Sequence, residues 1–156
     1  MSDRPSPPTG DPREIVFEED FPNRPSTIWR ALTAGPLIKR WLGMEPTGFA
    51  PIVGTQFTYR TDPAGAWDRT IRCEVLEALP EERLVYSWRS GDAANVGYGA
   101  PLDTRVTFTL TPIAGGTRLR LVHSGFRLPQ NAVAYENMGE GWAKCARNLR
   151  DVANDN

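Results

Sequence analysis

The chain has few of the residues from which metal centres and disulfide frameworks are built. Its 156 residues include one histidine and two cysteines. One histidine and two cysteines far apart in sequence do not match a closed zinc set. Cys73 and Cys145 fall on predicted core faces, so buried thiols are expected rather than a disulfide. The chain also has neither a GxxxxGK loop nor a GxGxxG turn after a strand. No metal and no cofactor are therefore expected.

The sequence also lacks an excess of charge and a long apolar run. A net charge of −1 argues against nucleic acid as a partner, because nucleic-acid-binding proteins carry a basic surface. No apolar stretch approaches the ~20 residues of a membrane-spanning helix. Residues 1–12 lack the apolar core of a secretory signal and are expected to form a disordered lead-in. We expect a cytoplasmic protein in which residues 13–154 form one domain.

The sequence does contain several segments in which apolar and polar residues alternate. This period of two predicts an antiparallel sheet with one dry face and one wet face. The predicted strands are 13–21, 55–61, 68–79, 83–90, 103–112 and 117–124. Two short helices are predicted after the first strand, at 25–33 and 36–42, since Pro25 and Pro36 suit a first helical turn. Gly125 and Phe126 are expected to turn the chain out of the last strand.

The last quarter of the chain predicts a long amphipathic helix over residues 131–154. Apolar side chains recur there at steps of three and four, which places them on one helix face. They are Tyr135, Met138, Trp142, Cys145, Leu149 and Val152. Gly139 and Gly141 interrupt the pattern and indicate a kink or a helix start near Trp142. A broad apolar face needs a large partner, and a helix laid across a curved sheet often leaves a cavity.

Five segments in this order resemble one known family: STIWRALTAGPLIKRWLG, GTQFTYR, RLVYSWR, VTFTLTPIAGGTRLRLVHSGF and GWAKCARNLRDV. They are similar to homologues of the C-terminal domain of the heat-shock-protein-90 ATPase activator, in the START-like or SRPBCC superfamily. The resemblance covers about Glu14 to Ala153. It implies an α+β helix-grip fold, with a curved antiparallel sheet wrapped around the C-terminal helix. It also implies a small apolar or amphipathic molecule between sheet and helix. The family has no shared catalytic signature, so no catalytic residue is assigned.

The predicted inner faces of the sheet and the helix carry the candidate ligand-binding residues. Ligand cavities are mostly apolar, and Tyr and Trp can also offer a hydroxyl or an indole N–H. The candidates are Trp41, Phe57, Tyr59, Cys73, Tyr86, Trp88, His123, Phe126, Tyr135, Met138 and Trp142. Core packing is the alternative interpretation for the aromatic rings, with the cavity favoured for Tyr59, Trp88 and Tyr135.

His123, the only histidine, has two interpretations. It is either a polar anchor or general base inside the pocket, or a neutral core histidine satisfied by a hydrogen bond. The second interpretation is favoured, because no catalytic partner is recognisable in the sequence.

The predicted outer face of the sheet carries several arginines. They are Arg72, Arg89, Arg105, Arg118 and Arg120, together with Glu74. A solvated face with ion pairs is favoured over a docking surface for a protein partner, since surface ion pairs are common and weak.

Three functions remain open. They are ligand binding, an enzyme of the START-like cyclase type acting on such a ligand, and a chaperone-regulating module with a protein partner. The sequence does not fix the oligomeric state.

Overall fold

A computed structural model describes residues 11–61, 65, 67–96 and 99–155. The strands are β1 (Asp11–Phe21), β2 (Gln56–Arg60), β3 (Thr70–Leu79), β4 (Arg83–Ser90), β5 (Leu102–Ile113) and β6 (Gly116–Leu128). The helices are α1 (Pro25–Thr33), α2 (Gly35–Leu42) and α3 (Ala132–Asn154). Within the described ranges, no helix combines the length and the hydrophobicity of a transmembrane span. The predicted element order and the α+β helix-grip fold are confirmed.

The six strands form one antiparallel sheet in the order β1-β6-β5-β4-β3-β2. Burial alternates along β5, where Val106, Phe108 and Leu110 face the core. The register pairs Val106 with His123 and Phe108 with Leu121, so both strands present their buried side chains on the same face. In the same sheet β1, the first strand, lies beside β6, the last strand. The inner face is therefore continuous across the sheet.

The outer face of the sheet carries four of the five predicted arginines in exposed ion pairs. Four pairs join neighbouring charges at distances of 2.8 to 3.5 Å: Arg72–Asp68, Arg89–Asp103, Arg118–Asp20 and Arg120–Glu18. Each of these side chains is about half exposed or more. This arrangement agrees with the solvated interpretation of the arginine face.

Strand β6 is longer than the sequence predicts. It continues through Gly125 to Leu128 and pairs Phe126 with Arg13 of β1, so the predicted turn at Gly125 and Phe126 is wrong. Gly125 has a φ of 105°, and an added Cβ would lie 3.1 Å from the carbonyl oxygen of Asp103 on β5. This glycine allows a close approach of two strands rather than a chain reversal.

Strand β1 begins at Asp11, before the predicted domain start at residue 13. Residues 1–10 of the predicted lead-in lie outside the described residues, as does most of the predicted turn at 62–66.

Helix α3 runs without interruption from Ala132 to Asn154, which confirms the predicted long helix. The alternative of a helix start near Trp142 is wrong. Trp142, Leu149 and Val152 are buried on its inner face, as the spacing predicts. This packing stabilises the helix despite its two glycines, because tertiary burial outweighs intrinsic propensity. Asn131 precedes the first turn and is itself buried.

Candidate functional site

A cavity of about 230 Å³ lies between α3, the end of α2 and the β3–β4 part of the sheet. Helix α2, the sheet and the loops contribute Leu42, Met44, Thr61, Trp67, Ile71, Trp88, Ser90, Gly99, Ala100 and Leu102. Helix α3 contributes Ala134, Asn137, Met138, Gly141, Trp142 and Cys145. Asn137 and Gly141 are exposed, so the cavity reaches the protein surface beside α3.

Three of the sequence-predicted ligand-binding residues line this cavity, namely Trp88, Met138 and Trp142. The other candidates lie elsewhere on the inner face: Trp41, Phe57, Tyr59, Cys73, Tyr86, His123, Phe126 and Tyr135. The inner face therefore consists of one part that lines the cavity and several parts in which the side chains are packed together.

The first packed part lies on β2, β3 and β4. Phe57 contacts Tyr59 and Tyr86 with ring centroids 5.6 and 5.2 Å apart. The hydroxyls of Tyr59 and Tyr86 are hydrogen-bonded to each other, and burial raises the pKa of both. Cys73, opposite Phe57 in the register, is buried, and burial raises the pKa of its thiol. These uncharged side chains pack against one another on the inner face of the sheet and form part of the hydrophobic core.

The second packed part surrounds His123, which is fully buried. Trp142 Nε1–H donates to His123 Nδ1 at 2.9 Å, so Nδ1 carries no proton. The proton is therefore on Nε2, which donates to Thr104 Oγ1 at 2.8 Å. The Thr104 hydroxyl in turn donates to the carbonyl oxygen of Trp88 at 2.8 Å. Burial lowers the pKa of His123 to about 3. His123 is a neutral imidazole with both nitrogens engaged.

The remaining candidates pack at the edges of these two parts. Phe126 lies between His123 and Tyr135, with centroid distances of 4.7 and 5.5 Å. Trp41 on α2 donates its indole N–H to the carbonyl of Ala31 at 2.8 Å. That bond joins α2 to α1 and satisfies the polar atom of Trp41.

The described lining of the cavity is uncharged. Its polar side chains are Thr61, Ser90 and Asn137, besides the indole N–H groups. Cys145 is the titratable lining group, and burial raises its pKa to about 11, so it is a neutral thiol at pH 7. Among the described residues, no three His, Cys, Asp or Glu side chains converge as a metal site would require.

Trp88 differs from the other two tryptophans of the lining, Trp67 and Trp142, because its indole N–H has no hydrogen-bond partner among the described residues. The side chain is 4 % exposed, and its Nε1–H is buried without an acceptor among the described residues. The ring contacts Tyr59, His123 and Trp142 at centroid distances of 5.4 to 6.1 Å. A buried donor without an acceptor is uncommon in folded proteins and requires an explanation.

Two residues outside the lining hold its walls in place. Asn131 Nδ2–H donates to the carbonyl of Pro101 at 2.9 Å, while its Oδ1 accepts the backbone N–H of Arg127. This links the start of α3, the end of β6 and the segment before Leu102. Gly91 has a φ of 89°, and an added Cβ would overlap the carbonyl of Ala100. The wall at Ala100 can therefore lie directly against the end of β4.

Sequence reasoning missed most of the lining. The helical spacing did place Cys145 and Trp142 on one face, and Gly141 adds space on that face. The segments around Met44, Thr61 and Ala100 have no periodic pattern, so no sequence signal connects them to the cavity.

The comparison with protein families gives a match over residues 23–154 to the description "Activator of Hsp90 ATPase homolog 1-like protein". No curated protein sequence matches the chain significantly. Among solved structures, protein MLL2253 from Mesorhizobium loti is 36 % identical, with a TM-score of 0.79 over 92 % of this chain and 98 % of that one. CalU16 from Micromonospora echinospora is 24 % identical, with a TM-score of 0.69 over 91 % and 76 % of the two chains.

The Aha1 dimer from Colwellia psychrerythraea is 18 % identical, with a TM-score of 0.70 over 90 % of this chain and 96 % of that one. At this identity the likeness concerns the fold alone, as it does for CalU16. The family match, in contrast, covers α1 through α3 and most of the chain. The chain therefore belongs to the family of Activator of Hsp90 ATPase homolog 1-like proteins.

Proposed function

We propose that the protein binds a small, largely apolar molecule in the cavity beside α3. The observation that carries this proposal is an open apolar space of about 230 Å³ walled by Trp88 and Trp142. Protein interiors contain few voids larger than a water molecule, and the adjoining aromatic core is tightly packed. A concave apolar site with a few polar groups is the usual form of a small-molecule site.

The chemistry of the lining favours binding over catalysis. Cys145, the described titratable group, has a pKa of about 11 and is therefore mostly the less reactive thiol at neutral pH. His123 has both nitrogens engaged inside the protein and a pKa of about 3, which makes it a poor general base near neutrality. These features support carriage or sequestration of a ligand rather than its conversion.

Two glycines of α3 provide a matched test of the site. Gly141 lines the cavity and Gly139 does not, yet a Cβ at either position meets no atom within 4 Å. Leucine stabilises a helix by about 1 kcal/mol relative to glycine at either position. We expect Gly141→Leu to fill the cavity mouth and abolish binding of toluene, whereas Gly139→Leu binds it like the wild type. Ligand-observed NMR and the rise in Tm with toluene concentration measure this.

The results separate three cases. Loss of toluene binding only in Gly141→Leu supports the proposal. Binding that survives in Gly141→Leu shows that toluene occupies a different part of the protein. Absence of binding in the wild type overturns the proposal and favours the interaction role that the family description names. Native mass spectrometry of protein purified from its own host then tests for a retained molecule.

A further inference from the structure

The four buried tryptophans differ in how their indole N–H groups are used. Trp41 donates to the Ala31 carbonyl at 2.8 Å, Trp67 to the Thr70 carbonyl at 2.9 Å and Trp142 to His123 at 2.9 Å. The N–H of Trp88 is equally buried but has no acceptor among the described residues. Leaving a buried donor unpaired costs free energy, because the group loses its hydrogen bond to water on folding.

The neighbours of the Trp88 ring are poorly placed to supply the missing acceptor. Both nitrogens of His123 are engaged, one by Trp142 and the other by Thr104. The hydroxyl of Tyr59 is engaged by the hydroxyl of Tyr86. Trp142, the third ring in contact with Trp88, carries an indole N–H that is itself a donor. Trp88 also lines the cavity. An acceptor for this N–H is therefore most readily supplied by a molecule inside the cavity.

The lining also restricts the charge and the size of such a molecule. The described lining holds no Asp, Glu, Lys, Arg or His, so an ion would lose its hydration without gaining a countercharge. An apolar cavity of ~150 Å³ holds benzene. A cavity of about 230 Å³ therefore admits a single ring with a small substituent.

We propose that the cavity selects an uncharged molecule about the size of a substituted benzene ring, carrying an acceptor oxygen that receives the N–H of Trp88. This inference rests on the proposed function and specifies its ligand class. A carbonyl or ether oxygen meets the requirement. A carboxylate does not, because its charge has no partner in the described lining. The hydrogen bond to Trp88 fixes the orientation of the molecule, and the apolar walls supply most of the affinity.

Three probes of similar shape test the inference: acetophenone, α-methylstyrene and benzoate. Acetophenone carries a carbonyl oxygen, α-methylstyrene has a methylene group in its place, and benzoate is charged. We expect Trp88→Phe to weaken acetophenone binding by roughly two- to tenfold and to leave α-methylstyrene binding unchanged. The control is Trp67→Phe, since Trp67 lines the same cavity but already donates to Thr70. It should change the affinities for both neutral probes by the same factor.

A measurement on the wild type keeps the test independent of the variants. The indole N–H resonance of Trp88 should shift on addition of acetophenone and much less on addition of α-methylstyrene. An unmoved resonance with bound acetophenone overturns the inference, as does tight binding of benzoate. Equal loss of both neutral probes in Trp88→Phe also overturns it and leaves the proposed function intact. Failure of toluene and all three probes to bind the wild type overturns both proposals.

Discussion

The inner face of this protein has two neighbouring regions, made from the same kinds of residue, that differ in how their polar atoms are satisfied. The first is the histidine cluster, formed by His123, Thr104, Phe126 and the indole N–H of Trp142. Its hydrogen bonds form a chain in which Trp142 donates to His123, His123 donates to Thr104, and Thr104 donates to the carbonyl of Trp88. The second is the cavity, where the described part of the chain offers the N–H of Trp88 no acceptor.

This difference shows that aromatic content alone does not distinguish core from binding site. The histidine cluster is fully closed because each donor meets an acceptor within the chain, and packing can then be complete. The cavity wall contains the same types of aromatic ring. It leaves space unfilled, however, and the described residues provide no acceptor for the indole N–H of Trp88. Four tests, which use six substitutions, examine the comparison, beginning with the largest expected effect.

Phe126→Ala tests the packing of the histidine cluster against that of the cavity wall. Phe126 is fully buried, so its truncation should lower the free energy of unfolding by about 3–5 kcal/mol. Met138→Ala, in the half-buried cavity wall, should cost below about 2 kcal/mol, because fewer packed contacts are lost there. Urea unfolding measures both values. Equal losses would show that the two regions are packed alike.

His123→Gln tests whether the histidine cluster holds a neutral imidazole. Burial lowers the pKa of His123 to about 3, below its value of ~6.5 in an unfolded chain. Between these values the unfolded chain binds a proton that the folded chain does not, so stability falls as the pH falls. From about pH 7 to about pH 5 the wild type should lose about 2 kcal/mol more than the variant. Parallel pH profiles of unfolding free energy would contradict the neutral assignment.

Replacing each of two tryptophans by phenylalanine compares a satisfied indole with an unsatisfied one. Trp142→Phe leaves Nδ1 of His123 without its donor and should cost about 1–3 kcal/mol beyond the lost ring volume. Trp88→Phe removes a donor for which residues 11–61, 65, 67–96 and 99–155 provide no acceptor, so its polar contribution should be near zero or stabilising. Thermal and urea unfolding of the ligand-free variants measure the difference. A larger loss in Trp88→Phe would reverse the comparison.

The smallest effect is expected on the outer face, which belongs to neither region. Arg89 pairs with Asp103 at 3.0 Å, and both side chains are largely exposed. Arg89→Gln should change the free energy of unfolding by no more than about 0.5 kcal/mol. This variant gives the baseline for the other three comparisons. A loss above about 1 kcal/mol would show that the ion pair contributes more than solvated pairs usually do.

The sequence predicted the fold well because its strands alternate with a strict period of two and α3 repeats at steps of three and four. These local patterns determine which side chains face inward, and the inward set was correct for β5 and α3. The extension of β6 past Gly125 was missed because a glycine that permits close strand contact resembles a turn glycine in sequence. The long helix over residues 131–154 was predicted correctly, and the alternative of a helix start near Trp142 was wrong because it gave the propensity of two glycines more weight than burial.

The location of the cavity could not be predicted from the same patterns. Periodicity placed Phe57, Tyr59 and Trp88 on one face, but their separation into core and lining depends on how α2 and α3 pack over the sheet. Loop residues such as Met44 and Ala100 complete the wall without any repeating pattern. The unpaired N–H of Trp88 likewise depends on the partners of His123 and Tyr59, which only tertiary contacts determine.

The composition of the cavity wall gives the protein an optical property of its own. Three of the five tryptophans, Trp67, Trp88 and Trp142, line the cavity. Indole emission responds to the polarity of its surroundings, and a molecule that replaces solvent beside these rings alters that polarity. Trp29 and Trp41 lie outside the lining and contribute a constant background. The chain therefore carries its own fluorescent reporter, through which occupancy of the cavity can be followed without a label.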